Sequence, residues 1–351
     1  MKKVTHNSVH NFFKLNGSHL DKEELCEAAY CLIKEGDEFE KVTGEFLLDW
    51  FDNKPYINLQ TSGTTGTPKI IRISKQAMIN SALATGDFFE LNPGDKALCC
   101  LPVKYIAGKM MLVRSIILGL NLDLVSPNSY PLSNNLTKYD FVAMVPLQVE
   151  NSLAELKNVK KMIVGGAKMS KSLEKSLLNV NTDVYETYGM TETITHIAAK
   201  KVGDKAFSIL PNVRISQNDK NCLVIDALKI SNESIVTNDL VEILSESQFV
   251  FLGRIDNVIN SGGVKLIPEQ IEEKLSAEIQ TRFFVGGVPD AVLGEKLVLV
   301  IEGEQQDLDK SLFKNLDKYE KPKEVFYISI FSETQNGKIK RKEILESVSR
   351  E

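Results

Sequence analysis

The residues best suited to chemistry stand in one run, T-S-G-T-T-G-T-P-K at positions 61–69. Gly63 and Gly66 let the backbone turn its N–H groups toward one point, Thr61, Ser62, Thr64 and Thr65 add small hydroxyl donors, and Lys69 adds a cation. Such a run suits a polyphosphate, although a plain polar turn uses many of the same residues. A Walker A loop is excluded. That motif needs four residues between its glycine and a G-K-S/T ending, whereas Gly63 and Gly66 are three apart and Lys69 follows Pro68.

Later residues offer complementary groups. Glu192 follows a Gly189-Met190-Thr191 turn. A carboxylate beside a phosphate loop is repelled unless Mg²⁺ lies between them, so the pair points to a metal–nucleotide site; alone, it reads as a solvated turn glutamate. Asp239, in T-N-D, can accept both hydroxyls of a ribose, and Arg254 can donate to the same nucleotide. Lys338 lies in a basic cluster with Lys340, Arg341 and Lys342. Taken singly, these are a turn aspartate, a surface cation and a solvated tail.

The chain that must position these groups has 351 residues, 43% of them apolar, enough for two or three domains with ordinary cores. A net charge of -5 argues against a nucleic-acid binder. No apolar run follows Lys2 and Lys3, and the longest apolar stretch, residues 110–120, is broken by Arg114. Membrane insertion is therefore not expected, and the reading is a cytoplasmic protein. The five cysteines lack C-x-x-C spacing, and Cys99-Cys100 sit in an apolar run, so buried thiols are expected. His6 and His10 could share a helix face, but no third ligand stands near them.

Asp21 and Glu24 form a capping-box pattern ahead of a helical run, and residues 38–51 give a second amphipathic helix. Ser74 caps a third that reaches about residue 89. From 97 to 187, apolar runs at 97–101, 122–125, 141–145, 162–164 and 184–185 alternate with helical ones near 108–118, 147–156 and 171–178. This is α/β grammar with a mostly parallel sheet, whose ligands bind at the carboxyl ends of the strands. The 61–69 run, Gly165-Gly166-Ala167 and the 188–192 turn all follow apolar strands and are expected to converge. Short runs at 213–215, 223–225, 241–244 and 249–252 suggest a small antiparallel β subdomain. Beyond Gly253 the spacing predicts helices over 268–275 and 308–316 and strands over 283–288, 297–301 and 325–328, a small α+β domain. The boundary falls in G-R-I-D-N, giving domains 1–253 and 254–351.

In this order the motifs resemble one family, the acyl-adenylate-forming (AMP-binding) ligases, which include acyl- and aryl-CoA synthetases, luciferase and peptide-synthetase adenylation domains. The resemblance runs from residue 56 to 344. It rests on the 61–69 run, Y-G-M-T-E (188–192), T-N-D (237–239), G-R-I-D-N-V-I-N-S-G-G-V-K-L-I-P-E-Q-I-E (253–272) and N-G-K-I-K-R-K-E-I (336–344). It implies a large N-terminal domain, a small mobile C-terminal domain, and an enzyme using ATP, Mg²⁺ and coenzyme A on a carboxylic acid. Residues 61–66 with Lys69 would embrace the phosphates, Tyr188 would lie near adenine, Thr191 at phosphate and Glu192 on Mg²⁺. Asp239 and Arg254 would hold ribose, Asp256 would be the hinge, and Lys338 would bridge the attacking carboxylate and the α-phosphate. Gly165, Gly189 and Met190 would line the acyl site, and Gly262 and Gly263 would face the pantetheine of coenzyme A.

Two departures qualify the resemblance. Only 60 residues precede the phosphate run, so the first subdomain of the family is expected to be largely missing. The usual aromatic-histidine stretch reads P-V-K-Y-I-A-G at 102–108, which puts Tyr105 at the histidine position with Lys104 and Lys109 close by. A desolvated second carboxylate needs a cation, so this pattern suits an anionic aromatic acid. The shortened form is most similar to the compact branch acting on o-succinylbenzoate in menaquinone synthesis. Two alternatives stay open: another acid with coenzyme A or a carrier-protein thiol as acceptor, and an inactive nucleotide-binding regulator. The joint presence of Lys69, Glu192, Asp239 and Lys338 speaks against the second. A homodimer covering an exposed edge also stays open.

Overall fold

The computed structural model describes residues 4–60, 70–133, 135–306, 309–333 and 339–349. The chain divides into two compact units: Met1–Ile215 with Ile225–Ile235 and Ser245–Gln248, and Ser216–Val224 with Val236–Leu244 and Phe249–Glu351.

The first unit is built on a sheet in which strands Asn121–Leu124, Lys96–Cys99, Tyr139–Met144, Val159–Val164 and Asp183–Gly189 lie side by side, all parallel. Both faces of these strands are covered, as unbroken apolar runs require. Leu98, Val142, Met144, Met162 and Val184 face one core, while Ala97, Cys99, Phe141, Ala143 and Ile163 face another. The expected parallel α/β sheet is thus present, and Cys99 and Cys100 are buried free thiols on opposite faces. Burial pushes the Cys99 thiol up to about 12, which leaves it inert.

Residues ahead of the phosphate run seal this unit. Asp21 caps helix Lys22–Glu35 with the predicted reciprocal bonds to Glu24, and helix Glu38–Phe51 follows. Leu25, Ala29, Phe46, Leu47 and Trp50 from this helix pair join the same core as Phe141. Strand Lys14–Leu15 runs parallel to Asn121–Leu124 and extends the sheet, and Ser18–His19 folds back against it. Asp52, after the second helix, accepts from Lys75 Nζ at 2.7 Å, and Lys75 is 1% exposed. Burial alone would raise the Asp52 carboxyl, but hydrogen bonds from Lys75 and Lys54 outweigh it and hold it at about 2.

Two expectations change in the first unit. The 147–156 helix stops after Pro146–Glu150, because Asn151 turns its amide to the Ser129 carbonyl at 3.2 Å and Ser152 N–H closes a turn on Val149. The strand expected at 184–185 runs on through Gly189, because Tyr188 pairs with Ala198 of an antiparallel neighbour, His196–Lys201.

Strands Arg214–Gln217, Cys222–Asp226, Ile235–Ser245 and Gln248–Arg254 lie side by side in chain order, the second unit taking Ser216–Val224, Val236–Leu244 and the residues from Phe249 on. A separate sheet contains Gly294–Glu302 between Phe283–Asp290 and the hairpin Ile259–Ser261/Val264–Leu266, with Glu324–Ile328 parallel to it. Helix Pro268–Leu275 contributes Ile271 and Leu275 to one core with Leu299, and helix Arg341–Val348 contributes Ile344 and Val348 to another with Val298. This is the expected α+β arrangement. The 308–316 helix contracts to a 3₁₀ turn, Lys310–Phe313, in which the Asp309 carboxylate accepts from Ser311 N–H at 2.9 Å; residues 307 and 308 lie outside the described set.

Candidate active site

The phosphate run, Thr61 to Lys69, lies outside the described residues. Its flanks do not: Tyr56–Gln60 and Ile70–Ser74 are antiparallel, with Gln60 opposite Ile70, so the run connects adjacent strand ends. Lys338 also lies outside, and its nearest described neighbours are Glu333 and Ile339.

The carboxyl ends of the parallel strands carry the remaining first-unit residues. Gly165 ends Val159–Val164, and its N–H donates to Met144 O at 3.2 Å. A Cβ there would sit 2.7 Å from Thr187 Oγ1, so any larger residue would displace that hydroxyl. Tyr188 lies in the next strand with its ring 5.8 Å from Phe207. At Gly189 a Cβ would meet Thr195 O at 2.4 Å. Residues 190–195 then form a tight turn: Thr193 N–H donates to Met190 O, Ile194 N–H donates to Thr191 O, and the buried Thr193 hydroxyl contacts both Met190 and Thr195. Ile194 has φ +68°, a costly conformation for a β-branched residue and a form of strain typical of functional turns. The turn half-buries Met190 and Thr191 and exposes Glu192.

Behind this turn lies a group outside the expected site. Arg114, on helix Ile106–Leu118, is 1% exposed, has no acidic partner among the described residues, and leaves its Nε without a hydrogen-bond partner. Its Nη2 donates to Thr195 Oγ1 at 3.2 Å. That hydroxyl meets His196 Nδ1 at 3.2 Å, and His196 Nε2 meets Thr85 Oγ1 at 3.3 Å. Thr85 donates to Ser81 O, so its hydroxyl accepts from His196, which assigns the proton to Nε2. Burial and Arg114 keep that imidazole neutral, its pKa well below the ordinary value. Burial also lowers Arg114, to about 10. The sequence signal was the one cation in the apolar run 110–120.

Of the residues expected around the acyl group, Lys104, Tyr105 and Lys109 are not gathered alike. Lys104 is exposed and Tyr105 is 49% exposed. Lys109 leans over the Phe46 ring at 4.6 Å. Burial, partly offset by Asp49 and Glu45, lowers its pKa to about 8.

In the second unit three expected residues do meet. Arg254 Nη1 reaches Asp239 Oδ1 at 3.3 Å and its Nη2 reaches Asp256 Oδ2 at 3.0 Å. Asp239 is 6% exposed, and its N–H donates to Thr237 Oγ1. Asn238 adds a bond to Asp256 Oδ2 at 3.1 Å. Beside them opens a cleft of about 510 Å³ lined by Thr237, Asn238, Lys220 and Asp256. Gly262 and Gly263 form the two-residue turn of the Ile259–Ser261/Val264–Leu266 hairpin with φ of +59° and +83°, which explains both glycines sterically.

The AMP-binding enzyme family matches residues 40–221, just over half of the chain. The chain belongs to that family. It is similar to the 2-succinylbenzoate–CoA ligase of Lactococcus lactis subsp. lactis, 24% identical over 325 residues that cover 84% of this chain and 72% of the relative. It is also similar to that of Salmonella typhimurium, 26% identical, covering 86% and 70%. Among solved structures, an acyl-CoA synthetase (AMP-forming)/AMP-acid ligase II-like protein from Dyadobacter fermentans is 35% identical with TM-score 0.61, covering 89% of this chain and 95% of that one. The o-succinylbenzoate CoA synthetase of Bacillus subtilis, solved with its acyl-adenylate OSB-AMP, shares the fold at TM-score 0.72 and 20% identity, covering 82% and 68%. No helix among the described residues is long and apolar enough to cross a membrane.

Proposed function

We propose that the chain is a cytoplasmic ligase that converts o-succinylbenzoate, ATP and coenzyme A into o-succinylbenzoyl-CoA, AMP and pyrophosphate. The observation that carries the choice of acid is Arg114, a buried cation without an acid partner among the described residues, set against Thr195 of the signature turn. A desolvated cation is expensive unless an anion joins it, and o-succinylbenzoate brings a second carboxylate beyond the one activated. The relatives from Lactococcus and Salmonella carry the name of that activity.

A carboxylate acylates poorly, so its oxygen first attacks the α-phosphorus and pyrophosphate leaves; a thiolate then attacks the acyl carbon and AMP leaves. Attack between two anions needs charge neutralised along the line of displacement. Thr61, Ser62, Gly63, Thr64, Thr65, Gly66 and Lys69 would hold the phosphates, with Thr191 beside them and Tyr188 against adenine. Glu192 is an exposed carboxylate, a hard oxygen donor of the kind Mg²⁺ takes, so it would hold the ion, whose charge would neutralise the leaving pyrophosphate. Asp239 would accept the ribose hydroxyls, held by Arg254. Gly165, Gly189 and Met190 would border the acyl group, with Tyr105, Lys104 and Lys109 near its entry. Lys338 would bridge the attacking carboxylate and the α-phosphate. For thioester formation the domain 254–351 would turn about Asp256, presenting Gly262 and Gly263 to pantetheine. Asp256 sits in a 3₁₀ turn, Ile255–Asn257, with its side chain 54% exposed.

Acid-dependent exchange of pyrophosphate into ATP tests this with a panel of acids. o-Succinylbenzoate should give the strongest exchange; exchange with fatty or amino acids alone would sink the substrate claim, and a thioester formed only on a carrier protein would remove coenzyme A. Lys338→Ala should abolish exchange while sparing thioester formation from supplied acyl-adenylate.

A further inference from the structure

Helix Arg341–Val348 begins three residues after Lys338, and its first residue is fixed unusually well. Arg341 Nη1 reaches Glu272 Oε1 at 2.7 Å and its Nη2 reaches Oε2 at 3.0 Å, a fork-to-fork pair. Glu272 is 8% exposed, and the same Oε1 accepts from Val285 N–H at 3.0 Å. The guanidinium also lies 5.4 Å from the Phe284 ring centre. One carboxylate therefore joins helix Pro268–Leu275, strand Phe283–Asp290 and the start of the last helix. On the other side of Lys338 the chain is pinned too: Glu333 bridges Ile339 antiparallel, and Lys340 N–H donates to Ser332 O at 2.9 Å.

Docking the last helix does not call for this pair, since Ile344 and Val348 already bury it against Phe284 and Val298. Glu272 is buried and Arg341 half-buried, so the pair carries a desolvation cost that apolar packing avoids, and what it supplies in return is one geometry. Resting on the role proposed above for Lys338, we infer that Glu272 and Arg341 are positioning residues for that lysine. They tie Arg341, three residues along, to helix Pro268–Leu275 and strand Phe283–Asp290; adenylation, the step that uses Lys338, depends on that anchoring, and the thioester step, which does not use Lys338, is indifferent to it.

The test compares the two half-reactions in Glu272→Gln, Arg341→Gln and Arg341→Lys, using the full chain with o-succinylbenzoate and with supplied o-succinylbenzoyl-adenylate. In the first two, kcat for exchange should fall about 10²-fold, the scale expected of a 1 Å misplacement, with KM for ATP and acid within about twofold. Thioester formation should stay within about threefold of wild type, and Arg341→Lys, which keeps the charge but not the fork, should fall between. Wild-type exchange in Glu272→Gln overturns the inference. So does an equal fall of both half-reactions with a lowered thermal transition, the mark of a purely structural pair. Lys338→Ala run alongside separates the readings. If it stops exchange while the pair variants exchange normally, the positioning inference falls and the role of Lys338 stands; if it exchanges normally, that role falls and takes the inference with it.

Discussion

Arg114→Met should make the protein more stable and less selective. The guanidinium is 1% exposed, and burial lowers its pKa from the ordinary value to about 10, with Cys99 offsetting a little. Below pH 10 the group is charged in both folded and unfolded chains, and the lower folded value means folding must work against about 3 kcal/mol. That penalty is fully present at neutral pH and is relieved only as pH rises past 10. Methionine keeps the apolar stem and removes the charge, while losing the bond to Thr195 Oγ1, worth about 1 kcal/mol. The net gain is about 2 kcal/mol, or a rise in melting temperature of about 2–6 °C. Catalysis should move the other way. Losing one partner of a desolvated charge pair costs about 2–4 kcal/mol, so kcat/KM for o-succinylbenzoate should fall about 10²-fold. 4-Oxo-4-phenylbutanoate, which lacks the ring carboxylate, should change less than about threefold. Calorimetry and exchange kinetics with both acids decide the matter. A destabilised variant that loses both acids equally would refute the reasoning, because Arg114 would then be a structural cation satisfied within the fold.

Asp52 ties its stability contribution to acid: its folded value near 2 lies below the ordinary 3.8, so the contribution is present above pH 4 and lost as pH falls toward 2. With 28% of that side chain exposed, about 1 kcal/mol should disappear, and Lys75→Met should flatten this slope in denaturant titrations at pH 5 and 2.5. Lys109, at about 8, loses its charge above that pH. If it meets the acid, KM for the acid should rise between pH 7 and 9 and Lys109→Ala should erase the rise with KM for ATP unchanged; an unaltered profile would leave it only as packing on Phe46. Gly189→Ala would place a Cβ 2.4 Å from Thr195 O and 2.6 Å from His196 Cα, both backbone atoms that cannot swing aside. A loss of more than about 2 kcal/mol is expected, and an unchanged melting temperature would show that the 190–195 turn can open.

Much of the fold is legible in residue order because its signals are local. Capping by Asp21 and Glu24 needs only three residues of spacing, and helices Lys22–Glu35, Glu38–Phe51 and Pro268–Leu275 appear where their periodicity puts them. The parallel strands read as unbroken apolar runs because both faces are buried. The contracted 308–316 helix marks the limit of this reading, since apolar spacing alone does not decide between a helix and a 3₁₀ turn held by Asp309. Strand His196–Lys201 was missed for a related reason: its partner, Asp183–Gly189, is chosen by pairing rather than by pattern.

Sequence by itself determined the family and its chemistry, because the order of the phosphate run, Y-G-M-T-E, T-N-D and N-G-K depends on which functional groups occur and not on where they finally meet. It also singled out Asp239, Arg254 and Asp256 as candidates for ribose and hinge without revealing that one guanidinium holds both carboxylates. Tertiary structure alone decided that Arg114, 81 residues before Thr195, would stand behind the signature turn. The same holds for Lys14–Leu15, which supplies a strand beside Asn121–Leu124, and for Arg341, which closes on Glu272. Each of these joins residues far apart in the chain. No spacing encodes such a contact; it is selected when the core closes, water leaves, and each buried charge must either find a partner in the fold or await one in a ligand.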